Sequence, residues 1–281
     1  EGRGGEVTWQ RVGYSRKQMR AKLQGYQINL NKAEYKADSV LYINNLYFDQ
    51  PIRGQLHDKL QSVAKKKDAT YPLFRSYKKI FSIPNIYENM DYRGGFKMVG
   101  AQFRGSGGKS REATLKIHRH GKVFMTATSE IFIFNKQRAL SRKAQVTLHL
   151  KNDSIYHTGL SFHYDVERQE IELRPSDNIL SKSVYYNTYH QVSMDFDRLL
   201  WNTNKDTIYF THSRNSSMGQ ATFTSMNYFT LEKWREIGMR DRVHPLIAIR
   251  NYHNKTKARK FDAGKFASYL RLPPFQVRQR L

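Results

Sequence analysis

The chain contains no cysteine, which excludes a disulfide framework and any thiolate metal site. That absence suits a reducing compartment, and it suits equally an envelope protein of a bacterium that does not rely on disulfides. No apolar run reaches the roughly 18 residues of a transmembrane helix. Acidic residues are scarce: 24 Asp and Glu stand against 48 Lys and Arg, a formal charge of +24 over 281 residues. Such a surplus favours contact with nucleic acid, lipid head groups, acidic glycans or an acidic protein. It also suits a cationic solvated surface within a larger acidic complex. A starting methionine is missing too. The sequence begins at Glu1 and stops at Leu281 inside what reads as a helix. The natural protein is expected to continue, and a secretory signal could have been removed ahead of Glu1.

Aromatic residues are plentiful, at 13% with 18 tyrosines, which argues against intrinsic disorder. Between about Thr114 and Phe229 apolar and polar residues alternate in short segments. Val146, Leu148 and Leu150 oppose Gln145, Thr147 and His149. The pattern returns at Phe162, Tyr164 and Val166, at Ile171 and Leu173, at Val192, Met194 and Phe196, and at Ile208 and Phe210. Side chains of a strand alternate faces, so this is a half-buried sheet surface repeated many times. Ile131 to Phe134 is apolar on both faces and reads as a central strand covered on both sides. A small-polar step precedes strands at Ala37-Asp38-Ser39, Ala127-Thr128-Ser129 and Met194 to Asp197. Serial units of this kind suit a β-solenoid or stacked β-roll; an antiparallel sandwich is the alternative.

Three segments are expected. Residues 1–90 form a β-rich segment with strands near Val7, at 27–30 and at 37–43. It includes one short helix over 55–64, from the spacing of Leu56, Leu60 and Val63, and an irregular connection over 68–90. Residues 91–230 form the β-roll domain, opening with a short strand over 97–103. Residues 231–281 form a small helical domain in which Pro245 opens one helix with Leu246, Ile249 and Tyr252 on one side. Asp262 caps another helix carrying Phe266 and Leu270, and Pro274 begins a last one with Val277 inward.

Candidate chemistry is thin. Gly105-Ser106-Gly107-Gly108-Lys109-Ser110 lacks the first glycine of a phosphate loop, since Phe103 occupies that place. A strand-like Thr114-Leu115-Lys116-Ile117 follows where a helix is needed. His118 and His120 would share a strand face, with His149, His157, His163 and His190 scattered nearby. Solvated strand histidines account for them. The acid pairs Asp165/Glu167, Glu170/Glu172 and Asp195/Asp197 invite acid–base work on a glycan. Alternation points them outward beside Arg168, Arg174 and Arg198, where local ion pairs suffice. No catalytic residue, cofactor site or metal site is therefore assigned. Residues 262–281 read as two helices joined by a tight turn, a helix-turn-helix whose outward Gln276, Arg278, Gln279 and Arg280 suit base edges or a partner surface. With Ala267, the Leu-Pro turn and Val277, the stretch resembles winged-helix domains, which also serve as protein-interaction modules.

The chain as a whole resembles the large envelope-associated proteins of Bacteroidota. The likeness rests on Asp91-Tyr92-Arg93-Gly94-Gly95-Phe96, on Gly100 to Gly107, on Lys151 to Leu160 and on Tyr269-Leu270-Arg271-Leu272. That group offers no catalytic or binding residue to carry over. The stacked pattern is also similar in style to the β-rolls that carry lipopolysaccharide between membranes, without a diagnostic motif. The resemblance implies a non-enzymatic scaffold or assembly component of the bacterial envelope, in the periplasm or at the outer membrane surface, binding an acidic protein or anionic envelope component. The alternatives are a nucleic-acid binder using the C-terminal helices, with a cytoplasmic location, a glycan-active β-solenoid enzyme, and a lipid carrier.

Overall fold

Alternation along the sequence reappears as alternation of burial. The structure is a computed structural model that describes residues 1–29, 31–59, 69–107, 112–176, 183–211, 221–226, 245–257 and 261–278. The fold is mainly β, followed by a small helical region. The strands are β1 (Gly2–Arg3), β2 (Glu6–Thr8), β3 (Met19–Lys22), β4 (Gly25–Asn29), β5 (Glu34–Asn44), β6 (Ile52–Lys59), β7 (Leu73–Ser76), β8 (Phe81–Tyr87), β9 (Met90–Gly94), β10 (Lys97–Val99), β11 (Gln102–Ser106), β12 (Ala113–Arg119), β13 (Lys122–Ser129), β14 (Ile131–Phe134), β15 (Arg138–Leu150), β16 (Asp153–Asp165), β17 (Glu170–Pro175), β18 (Tyr185–Asn187), β19 (Val192–Asp195), β20 (Arg198–Asn202), β21 (Ile208–Thr211) and β22 (Thr222–Ser225). The helices are α1 (Pro245–Thr256), α2 (Ala263–Leu270) and α3 (Pro274–Arg278). The chain divides into two units. One comprises Glu1–Gly108, Ala113–Leu115 and Ile131–Ala139; the other comprises Lys109–Glu112, Lys116–Glu130 and Leu140–Leu281.

In the first unit antiparallel pairing runs β5–β6–β7–β10–β11–β14, and β3 and β4 pair with opposite ends of β5. The inward positions are filled by rings. Tyr42 stacks on Phe74 at 4.2 Å and meets Trp9 edge-on at 5.1 Å. Phe103 touches Phe96 at 4.7 Å, Phe134 at 4.9 Å and Tyr92 at 5.2 Å. The Tyr92 ring lies where Gly94 and Gly105 have no side chain. A Cβ at either glycine would overlap its hydroxyl, which donates to the Gly95 carbonyl at 2.8 Å. Gly94 and Gly105 are thus packing residues.

Several expectations for this unit are corrected. The helix over 55–64 is not formed at its start: residues 52–59 are strand β6, and the rest lies outside the described residues. Gly54, Leu56 and Asp58 are the inward positions. Because two of these are not apolar, the period of two was hidden, and Leu56 and Leu60 suggested a helix by chance spacing. Asp58 is tolerated inside because Arg11 pairs with it and the Tyr35 hydroxyl donates to it at 2.9 Å. The irregular connection contains β7, β8 and the start of β9. Pro84 is exposed where the β8–β9 register slips, a position that needs no ladder N–H. The strand over 97–103 is a hairpin. Val99 pairs with Gln102 across a two-residue turn opened by Gly100 at φ 57°. In β14 one face alone is covered: Phe132 and Phe134 are buried, while Ile131 is 51% exposed.

In the second unit β16 pairs with β17, β17 with β20 and β20 with β21. The register aligns Phe162, Leu173, Leu199 and Phe210 in one row, and Tyr164, Ile171, Trp201 and Ile208 in the next. The first three of each row are buried, and Phe210 at the end of its row is 39% exposed. β16 also pairs with β18, and β18 continues through β19 to β22. The three small-polar steps occupy unlike places: within β5 at a register shift, at the end of β13, and across the end of β19. They do not form a structural repeat. His120 lies in the turn after β12, with φ 49° next to Gly121 at 73°, and so shares no strand face with His118. Among the helices, Tyr252, Phe266, Ala267 and Val277 form a small core with Ile249, Leu270 and Leu272 against it, while Leu246 is 47% exposed. The Asp262 carboxylate accepts from the Lys265 N–H at 2.8 Å, as a cap should. Of the expected helical segment over 231–281, residues 231–244 lie outside the described residues.

Candidate functional site

The outward side chains of the first unit gather positive charge. The register sets Gln55 opposite Arg75, Arg75 opposite Lys97, and Lys97 opposite Arg104. Three cations thus stand side by side on β7, β10 and β11, over about 10 Å at roughly 4.8 Å per strand. Arg75 and Arg104 are exposed and Lys97 is half-buried. Among the described residues no carboxylate forms an ion pair with any of the three. Arg104 donates to Gln102 of its own strand, at 3.3 Å. Like charges directly opposite each other destabilise a sheet. Burial first, and then the Arg75 and Arg104 guanidiniums, hold the Lys97 ammonium below the usual lysine range.

Next to this row lies a groove of about 1100 Å³. Arg75 and Lys97 form one side, and Lys36 of β5 and Arg3 of β1 face the same space. Gln24, Gln27 and Gln55 contribute amides. Two acids line it. The Asp38 carboxylate accepts from the Gln55 amide at 2.8 Å, and Glu1 lies at the rim near Arg3. Arginine and lysine donors next to neutral amides are the chemistry of oxyanion recognition.

The sequence candidates fall elsewhere. Arg278 donates to the Glu112 carboxylate, with side chains only 16% and 5% exposed, and lies 3.4 Å from the Thr128 hydroxyl. The guanidinium offered as a reader of bases is therefore engaged within the second unit. Gln276 is half-buried, and Gln279 and Arg280 lie outside the described residues. Glu172 accepts from Arg174 at 2.6 and 2.9 Å and lies 3.3 Å from Arg198 and 3.9 Å from His163. Asp165 accepts from the Arg168 N–H at 2.9 Å and caps a turn, and Asp195 is exposed. His149 is exposed and meets the Thr126 hydroxyl at 2.9 Å.

His157 is different. It is fully buried. Its Nε2–H donates to the Ser183 carbonyl at 2.9 Å, its Nδ1 accepts from the Gly159 N–H at 3.0 Å, and its ring contacts Tyr185 at 4.6 Å. Burial pushes the imidazole down to about 4. The alternation of Ile155, His157 and Gly159 could have placed it inward. The cation row left no such trace, because Arg75 comes from a strand that becomes a neighbour of the Lys97–Arg104 hairpin only on folding.

No protein-family model matches the chain, and no curated protein matches it. Among solved structures the chain is similar to LptH, described as the LptA homologous periplasmic component of the conserved lipopolysaccharide transport device from Pseudomonas aeruginosa. The likeness has 9% identity and a TM-score of 0.31, and it covers 44% of this chain and 83% of that one. It is too slight to carry a conclusion.

Proposed function

We propose that this chain is a non-enzymatic β-scaffold that holds an anionic component through the basic face of its first unit. The carrying observation is the in-register row Arg75, Lys97 and Arg104, which among the described residues has no carboxylate partner. An arrangement that costs stability alone gains it back when an anion lies across it. The envelope setting comes from the resemblance to Bacteroidota proteins. Of the acid pairs, Glu172 lies in a local ion pair, Asp165 caps a turn, and Glu167 and Asp195 are exposed, which gives little support to a hydrolase; the engaged Arg278 gives little to DNA reading.

The test is affinity for long-chain inorganic polyphosphate as a function of salt. Replacing Arg75, Lys97 and Arg104 with Gln should weaken binding at least tenfold. It should also flatten the log–log salt slope by about 2 to 3, from fewer counterions released. The control removes three exposed cations of the second unit: Lys151→Gln, Arg168→Gln and Lys205→Gln. Equal losses in the two triple variants would mean that net charge alone drives binding, and would overturn the assignment to this face.

A further inference from the structure

The groove beside the cation row has a character of its own. It is concave, so it suits a chain segment better than a flat bilayer surface. Its amides carry no charge. Gln24 and Gln27 come from β4 and the bend before it, and Gln55 comes from β6. An anion uses only the N–H side of such an amide and, even with one Gln55 N–H held by Asp38, leaves the three amide carbonyls without a donor; it cannot use both sides at once. Hydroxyl groups can. Leu56, among the apolar residues of the lining, is itself buried at 1% exposure, so it offers little to an acyl chain. At about 1100 Å³ the space lies at the upper end of what small-ligand sites offer.

Resting on the anion-binding reading above, we propose that this groove binds a segment of an acidic glycan, with Arg75, Lys97 and Lys36 meeting its charged groups and the Gln24, Gln27 and Gln55 amides meeting its hydroxyls. Charge on successive sugars is matched by cations one strand apart, about 4.8 Å. Asp38 and Glu1 in the lining set a limit on how much charge the groove accepts, and favour a ligand whose anionic groups are interrupted by neutral hydroxyls over a dense polyphosphate.

The experiment is calorimetric titration of the intact chain with oligogalacturonate and with a sulfated heparin-derived hexasaccharide. Neutral maltohexaose and phosphatidylglycerol vesicles serve as the other arms. One-to-one binding of an acidic hexasaccharide and none of maltohexaose is expected. Arg75→Gln with Lys97→Gln should weaken it at least tenfold. Gln24→Ala with Gln27→Ala, which leaves the charge untouched, should weaken it about threefold or more while leaving polyphosphate affinity unchanged. Two results would overturn the glycan assignment while the anion-binding reading stands. One is binding of polyphosphate or vesicles but of neither acidic hexasaccharide. The other is hexasaccharide affinity unmoved by the glutamine variant. Binding of no anionic probe at all would sink both.

Discussion

Two outward sheet faces of this chain treat charge in opposite ways. On β16, β17 and β20 of the second unit, Glu172 stands among Arg174, Arg198 and His163, and both arginines share its carboxylate. On β7, β10 and β11 of the first unit, Lys97 stands between Arg75 and Arg104 with no acid in the row. Both faces are solvated, and both are built from antiparallel strands. The faces differ at the central residue, a glutamate in one and a lysine in the other, and in placement: Arg75 and Arg104 lie directly opposite Lys97, whereas Arg174 shares the strand of Glu172 and Arg198 lies diagonal to it. A self-neutralised face is complete as it folds. A face that keeps three cations in direct opposition is completed by something anionic from outside. Net charge does not distinguish the two; partner geometry does.

Charges that are buried give the scale against which both faces are measured. Asp58→Ala leaves Arg11 without its carboxylate and the Tyr35 hydroxyl without its acceptor. It should cost about 3 to 4 kcal/mol in chemical denaturation. A loss under about 1 kcal/mol would show that this pair is no stronger than a surface one.

His157 gives the next effect, through pH. Its folded-state value, about 4, lies below the usual 6.5 because burial opposes charging. Nδ1 already accepts the Gly159 N–H, so a proton there would also break that bond. Above pH 6.5 the residue is neutral in both states and stability is unaffected. As pH falls from 6.5 to about 4 the unfolded chain binds the proton first, and stability drops by up to about 3 kcal/mol. Urea midpoints measured over that window should fall, and His157→Gln should remove most of the slope. An unchanged slope would place the acid sensitivity elsewhere.

Exchanging the central residues of the two faces tests the comparison directly. Glu172→Lys should destabilise the second unit by about 1 to 2 kcal/mol, since it turns the acceptor shared by Arg174 and Arg198 into a third like charge. It should also raise polyphosphate affinity. Lys97→Glu should do the reverse in the first unit. Thermal stability should rise by about 0.5 to 1 kcal/mol, because the new carboxylate lies opposite two arginines, and polyphosphate binding through that face should be lost. If Lys97→Glu leaves stability unchanged or lowers it, the row is not under the like-charge strain argued here.

Much of the β architecture was legible where inward positions are apolar. Phe162, Tyr164, Ile171, Leu173 and Met194 all lie inside, as their alternation required. Legibility failed where an inward place is held by a glycine, a buried acid or a histidine. Gly54 and Asp58 disguised β6 as a helix, and His157 passed for a solvated residue. Turn chemistry was half legible. Gly100 opens a hairpin that read as an uninterrupted strand. The candidate site was not legible at all. Arg75, Lys97 and Arg104 each look like an ordinary outward residue of a short strand.

Local order in the chain settled the class: a mainly β protein, strongly cationic, with a short helical end capped at Asp262. These follow from alternation and charge, which are properties of neighbours along the chain. Tertiary structure alone decided which strands lie side by side, and hence which cations face one another without an acid. A local hairpin sets residue 97 against 104, but strand pairing joins 75 to 97 through hydrogen bonds whose register no local pattern encodes, and like charges interact according to that register.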